Sequence, residues 1–307
     1  MTAMTPLSPV ARTSRGHARI RGRRWTPWLF LVLPLVLLGT FTYIPVVNLF
    51  YYSVTSWDGL DPHKTFVGLK NYRAIIDNPV YFHVFYVSLY YFFASFLQIG
   101  LALYFATVLS FKVRFSNLFK GILFFPSLMN GVAIAFIFLY FFRPGGTLDS
   151  VLDTFGAGSL KHQWLGDPSL INYSLSGVSV WRYMGLNFVL FLGAIQSIPA
   201  QLYEAADIDG ATRWQQFRYI IAPGIRPIIG LTFILAIAGS LAVFEIPYIM
   251  TTGANGSETF VIQTVKQAFE NQHVGLASAM AVVLLLIILV VTAIQRVILP
   301  DEGVTLT

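Results

Sequence analysis

Few residues in this chain are equipped for chemistry, and the familiar catalytic patterns are not among them. There is no phosphate loop of the form G-x-x-x-x-G-K-[ST], so the chain is not expected to bind or hydrolyse ATP itself. No HExxH, Ser/His/Asp constellation or Cys/His cluster occurs, and His162, without ligand partners at metal spacing, reads as a surface histidine. The chain holds no cysteine, which removes disulfides and thiolate-held metals. What remains is one polar island, Glu204-Ala205-Ala206-Asp207-Ile208-Asp209-Gly210, continuing through Phe217, Ile220 and Pro223. A few polar groups also sit within or beside apolar runs: Asn130, Arg182 with Tyr183, Asn187, Ser240, Phe244 with Glu245.

The elements that must position these groups follow from composition. Hydrophobic residues make up 56% of the chain and charged residues 11%, against about 25% charged in soluble domains. Six runs long enough for a bilayer place spans at about 28–54, 80–110, 119–142, 175–198, 225–246 and 274–299. The expected class is an all-α membrane protein with six transmembrane helices. The domain reading is a basic, disordered tail over 1–27, a six-helix transmembrane domain over 28–299 and a short tail over 300–307. The apolar stretch after the tail arginines is far longer than a signal-peptide core, so it reads as an uncleaved first span. With both termini inside, nearly twice as many of the 20 Lys and Arg fall on the inner side as on the outer. A net charge of +6 concentrated in that way speaks for membrane lipid and not for nucleic acid.

The island must leave the bilayer, because each central charge costs roughly 2.5–3.5 kcal/mol. Good helix formers over 201–208, a break at Gly210 where positive φ is common, and a Thr212 cap predict two short helices with a turn between them. Trp214, Phe217, Ile220 and Ile221 recur at helical spacing, and Pro223 is expected to end the second helix. The product is an exposed loop, 199–223, with an apolar stripe and no evident partner inside the chain. From the residues alone it could equally lie on the membrane surface.

Glu204-Ala205-Ala206, Gly210, Ile220 and Pro223, at their observed spacing, resemble the EAA loop of permease subunits of binding-protein-dependent ABC importers. The usual form has Leu before the proline; Ala222 here trims apolar contact. Asp209-Gly210-Ala211 with Trp214, Phe217 and Pro223 is similar to the carbohydrate branch, as are Phe66-Val67-Gly68-Leu69-Lys70-Asn71-Tyr72 after the first span and Trp164-Leu165-Gly166-Asp167-Pro168 in the second outer loop.

The resemblance implies a type I importer fold with the loop as a cytoplasmic coupling helix between the fourth and fifth spans. Its site residues would be Glu204, Ala205, Ala206, Asp209, Gly210, Phe217, Ile220 and Pro223, seated in a groove of an ATPase. It also implies a second homologous permease, two ATP-binding subunits that use ATP and Mg, an extracytoplasmic solute-binding (lipo)protein, and a bacterial or archaeal cytoplasmic membrane. No cofactor is expected on this chain.

By offset from Glu204, the family's sugar-holding face would include Tyr183, Leu186 and Asn187 in the fourth span, and Ser240, Val243 and Phe244 in the fifth. Asn130 reads as an interhelical hydrogen-bonding amide or as pathway lining, and Pro126 as the kink of the third span. Glu245 reads as a pathway group or as a headgroup-level carboxylate where the fifth span ends. Oligosaccharide uptake is preferred over glycerol 3-phosphate or another polyol, since a phosphate would call for clustered Arg or Lys. A secondary transporter is the reading from another class; it would want buried ionisable groups along several spans and two related halves.

Overall fold

The computed structural model describes residues 26–111 and 113–298; the expected tails, apart from residues 26 and 27, lie outside that range. The chain divides into two units, Met1–Asn48 and Leu49–Thr307. In the first, the described residues are all helical. Helix α1 (Thr26–Leu38) contains Pro34, a π-turn follows at Gly39–Tyr43, and α2 (Ile44–Ser53) then begins. The π-turn ends two residues before Pro45. A proline removes one backbone donor and crowds the preceding turn, and a locally widened turn moves those carbonyls out of the ring's way.

The second unit continues with α3 (Lys70–Asp77), α4 (Pro79–His83) and the long α5 (Phe85–Ser110). Next come α6 (Ser116–Leu128), α7 (Gly131–Phe142), α8 (Thr147–Thr154) and α9 (Ile171–Gln196). The polar island forms α10 (Ala200–Ile208), α11 (Arg213–Gln216), a π-turn at Phe217–Ile221 and α12 (Ala222–Gly224). The chain closes with α13 (Arg226–Leu241), α14 (Glu245–Thr251), α15 (Phe260–Phe269) and α16 (Val274–Ile298). There is no strand among the described residues, only an isolated antiparallel bridge between Thr55 and Phe66. Five helical stretches are long and apolar enough to cross a bilayer, and a sixth results if α6 and α7 form one broken span.

Two spans differ from expectation. The third is not a helix kinked at Pro126. Pro126 lies inside α6, and the chain turns by 99° only after Leu128. Met129 and Asn130 are extended, and the Asn130 side chain accepts from the Val132 N–H at 2.8 Å. A well-formed N-cap starts a new helix at Gly131, so the break falls at the cap and not at the proline. The fifth span does not end at Glu245. Helix α13 stops at Leu241, residues 242–244 leave helical geometry, and Glu245 opens α14. The Val243 carbonyl freed by this break accepts from Thr259 Oγ1 at 2.8 Å, so the irregular backbone is satisfied from within the protein.

Three apolar clusters hold the second unit together. Ile99, Ala102, Ala106 and Leu109 of α5 pack on Phe188, Phe191, Leu192 and Ile195 of α9, with Ile221 and Ile225 beneath. A second cluster joins α5, α7, α9 and α14 through Tyr91, Ile134, Leu175 and Ile246. The third joins α3, α4, α15 and α16 through Ile75, Tyr81, Phe260 and Met280. Helices α6 and α9 come close enough that a Cβ on Gly185 would overlap the Leu123 carbonyl, the use of small residues expected between spans.

The loops after α2, before α9 and after α14 are structured. Asn71 Nδ2 donates to the Ser53 and Thr55 carbonyls at 2.9 and 2.8 Å, and the Tyr72 hydroxyl to Ser53 Oγ at 2.7 Å. The Phe66–Tyr72 phrase therefore clasps the end of α2 as well as presenting an exposed Phe66 and Leu69. Asn255 Nδ2 donates to the Leu165 carbonyl and Asn172 Nδ2 to the Gly256 carbonyl, both at 3.0 Å, which ties the second and third of these loops together.

Candidate coupling loop and pathway cavity

The island is a self-contained hairpin of helices. At the end of α10 the Ala211 N–H bonds back to the Ala206 carbonyl and the Gly210 N–H to that of Asp207, at 2.9 and 3.2 Å. This is the Schellman closure, which needs a left-handed residue at Gly210, and Gly210 has φ +72. Thr212 and Gln215 then form a reciprocal capping box at the start of α11. Gln216 is 1% exposed. Its Nε2 donates to Asp207 Oδ1 at 2.6 Å and its Oε1 accepts from Arg213 Nη1 at 2.9 Å, fastening the second helix to the first. The Arg213 guanidinium lies over the Phe111 ring, 4.4 Å from its centroid, at the end of α5.

The apolar stripe expected to lack an intramolecular partner is divided. Tyr203, Phe217 and Ile221 pack into the α5–α9 cluster, because helical spacing turns them towards the bundle while their neighbours face away. Burial pushes the Tyr203 hydroxyl above its usual range. Leu202, Ile208, Trp214 and Tyr219 stay exposed, Ile208 at 87%. Glu204 and Ala205 are exposed beside them, and the Glu204 side chain makes no hydrogen bond or ion pair among the described residues; Ala206 and Ile220 are half-buried, and Asp209 and Pro223 exposed. Pro223 does not end the second helix, which runs on to Gly224. The π-turn at Phe217–Ile221 lies just ahead of the proline, as at Pro45, and accommodates it in the same way.

Within the bundle, α5, α9, α13 and α14 enclose a cavity of about 420 Å³. Tyr183, Asn187, Ser240, Phe244 and Glu245 all line it, as do Leu186 and Val243. Asn130 does not; it caps its own helix. Residues that the sequence did not single out contribute as much: Tyr91, Ser95 and Gln98 from α5, Ser179 from α9, Thr232 from α13. Their only sequence signal was that of polar groups inside apolar runs, diluted by the many aromatics of that helix.

The polar groups of this wall fall into two kinds. Ser95, Ser179, Thr232 and Ser240 donate to carbonyls of their own helices, the usual way to satisfy a hydroxyl in a span. The amides of Asn187 and Gln98 make no hydrogen bond among the described residues, and the Tyr91 hydroxyl is buried without a partner. Such groups in a low-dielectric wall favour a ligand that brings donors and acceptors. Phe244 stacks on Tyr248 at 4.7 Å between centroids, which fixes its ring at the break between α13 and α14. Arg182 Nη1 donates to Glu245 Oε2 at 2.5 Å, joining α9 to the first residue of α14. Among the described residues no group of three or more His, Cys, Asp or Glu could hold a metal.

Comparison with known proteins adds the following. Residues 98–302 match the family model described as binding-protein-dependent transport system inner membrane component. A Bacillus subtilis protein named probable ABC transporter permease protein YurN is 36% identical over 275 residues, covering 88% of this chain and 94% of that one. The multiple sugar-binding transport system permease protein MsmF of Streptococcus mutans is 30% identical over 271 residues, covering 87% and 93%. A chain from the crystal structure of a bacterial ABC transporter involved in the import of the acidic polysaccharide alginate superposes with a TM-score of 0.80, covering 91% of this chain and 96% of that one. At 19% identity that likeness is one of fold.

Proposed function

The chain belongs to the inner-membrane components of binding-protein-dependent transport systems, and from that premise we propose that it is a permease subunit of an ATP-driven importer of oligosaccharides. The observation that carries the substrate class is the cavity wall. Unpaired amides of Asn187 and Gln98 and the Tyr91 hydroxyl line the same cavity as the rings of Phe244 and Tyr183. Aromatic faces stack on sugar rings, and amides and hydroxyls bond ring hydroxyls. The sugar-transport name of the Streptococcus relative supports the same class. Glycerol 3-phosphate or another phosphorylated polyol fits less well. Arg182 is the cation nearest the wall, and it is committed to Glu245. A secondary transporter would carry several buried ionisable groups along the spans, and the cavity presents a single, paired carboxylate.

In this reading a second permease completes the pathway, a solute-binding protein delivers the sugar from outside, and two ATPases with ATP and Mg act from the cytoplasm. This chain catalyses nothing and holds no cofactor. Glu204 and the exposed Leu202, Ile208, Trp214 and Tyr219 form the face that seats on an ATPase, in the manner of a helix in a groove. The stiff hairpin behind that face transmits ATPase closure to α9 and α13, which flank both the loop and the cavity, and so shifts the population between inward and outward openings. The membrane is the cytoplasmic membrane of a bacterium or archaeon, with both termini inside.

The test is substrate-stimulated ATP hydrolysis by the reconstituted importer. Glu204→Ala and Gly210→Asp should abolish most of the stimulation and uptake while leaving membrane insertion intact. Uptake that survives both changes, or that runs on an ion gradient without any ATPase, contradicts the proposal.

A further inference from the structure

The wall of the cavity carries one formal charge, and its partner stands behind it. Among the described residues Glu245 is the only Asp, Glu, Lys or Arg lining the space, and its side chain is 38% exposed. Arg182 is absent from the lining, and its side chain is 14% exposed. The pair therefore has an orientation: carboxylate towards the cavity, guanidinium towards the protein. A third residue holds it there. A Cβ on Gly131, the first residue of α7, would overlap both the Glu245 carboxylate and the Arg182 guanidinium. The carboxylate thus lies beside the first turn of α7, where the helix dipole favours negative charge. Two backbone breaks, the 99° turn between α6 and α7 and the one before Glu245, bring these pieces together.

Stability alone does not explain such a part-buried pair, since apolar residues of similar volume commonly serve as well where charges leave water. Its orientation matters for what enters. An anionic ligand would meet the carboxylate first, at short range and in poor dielectric, and would be repelled. A neutral polyhydroxylated ring would meet an acceptor for its hydroxyls. Without the carboxylate, the guanidinium would be the nearest charge and would attract carboxylate or phosphate groups bidentately.

We propose that the Arg182–Glu245 pair, seated on Gly131, is the charge filter of the cavity, which admits uncharged polyhydroxylated rings and turns anionic ones away. This rests on the reading of the cavity as the sugar's passage, and the experiment separates the two. The complete importer in nanodiscs would be titrated calorimetrically with maltotriose and with trigalacturonate, two three-ring probes that differ in charge. The unmodified complex should favour the neutral probe. Glu245→Gln should shift the ratio of the two affinities at least tenfold towards the anionic probe. Arg182→Gln, Glu245→Gln together should return most of that shift, since no lone cation remains. Gly131→Ala keeps both charges but displaces them and should shift the ratio in the same direction by a smaller factor, which provides a reading if Glu245→Gln does not assemble. Binding of the neutral probe with an affinity ratio that moves less than twofold in both Glu245→Gln and Gly131→Ala overturns the filter alone. Binding of neither probe by any variant, including the unmodified complex, overturns the carbohydrate reading together with the filter.

Discussion

In the loop of α10–α12 the hydrogen bonds join residues no more than nine positions apart, the longest being Gln216 to Asp207. In the cavity wall the ion pair joins residues 63 positions apart, and the glycine beneath it belongs to yet another helix. A hairpin closed by its own caps keeps its shape wherever it is carried, which suits an element that must hand on a movement. A wall assembled from α5, α9, α13 and α14 exists only while those helices keep their relative places, which suits a space that must open and close. Perturbations of the two regions should therefore separate: damage to the wall should spread through the bundle, and damage to the loop should stay local.

The sharpest break is expected at Gly185. Leucine there would drive its side chain into the α6 backbone at Leu123 and Phe124. The cost of such overpacking is on the order of 3 kcal/mol, and thermal unfolding in detergent should show a large fall in midpoint, with loss of assembly. Gly131→Ala should cost about 1–3 kcal/mol by the same mechanism, lowering the midpoint while hydrogen exchange in residues 200–224 stays unchanged. Gly210→Val comes next. Open space surrounds its Cβ position, so the penalty is the left-handed backbone alone, about 1–2 kcal/mol. It should abolish stimulated ATP hydrolysis with little change in the unfolding midpoint. Thr212→Ala removes half of the capping box and about 1 kcal/mol, to be seen as faster exchange of the Gln215 amide.

The smallest effect concerns pH. The backbone and hydroxyl donors of Ser169 hold the Asp167 carboxyl below its ordinary range, and the backbone donors of Asp61 and Leu60 do the same for Asp58. A lowered carboxyl contributes stability above its unfolded pKa and loses it as pH falls through the folded value. Protection of the Ser169 and Leu60 amides, measured against their intrinsic exchange rates, should therefore fall only on acidification below the usual aspartate range, with no change between neutral and alkaline pH.

The same contrast explains what could be read in the residues beforehand. Local signals carried the loop: Gly210 for positive φ, Thr212 for a cap, helical spacing for the stripe. The stripe's division between core and surface was hidden, because spacing names a face without naming its neighbour, and so was buried Gln216. Span positions were legible from long apolar runs, but the break at Asn130 was assigned to Pro126, since a cap inside an apolar run resembles any other polar residue. The cavity face of α9 and α13 was placed through family resemblance, whereas Tyr91 and Gln98 went unnoticed among the aromatics of α5. The partnership of Arg182 with Glu245 depends on two backbone breaks and on a glycine 51 positions before Arg182. No local pattern announces it.

The most direct measurement uses the absence of cysteine from the chain. Single cysteines placed by Glu204→Cys, Ile208→Cys and, on the opposite side, Thr147→Cys would be treated with a short bifunctional maleimide in the assembled importer, with and without ATP. Cross-links to the ATPase from positions 204 and 208, altered in yield by ATP and missing from 147, are the predicted result. An intact, transporting complex in which neither loop position reaches the ATPase would contradict the assignment of this hairpin as the coupling element.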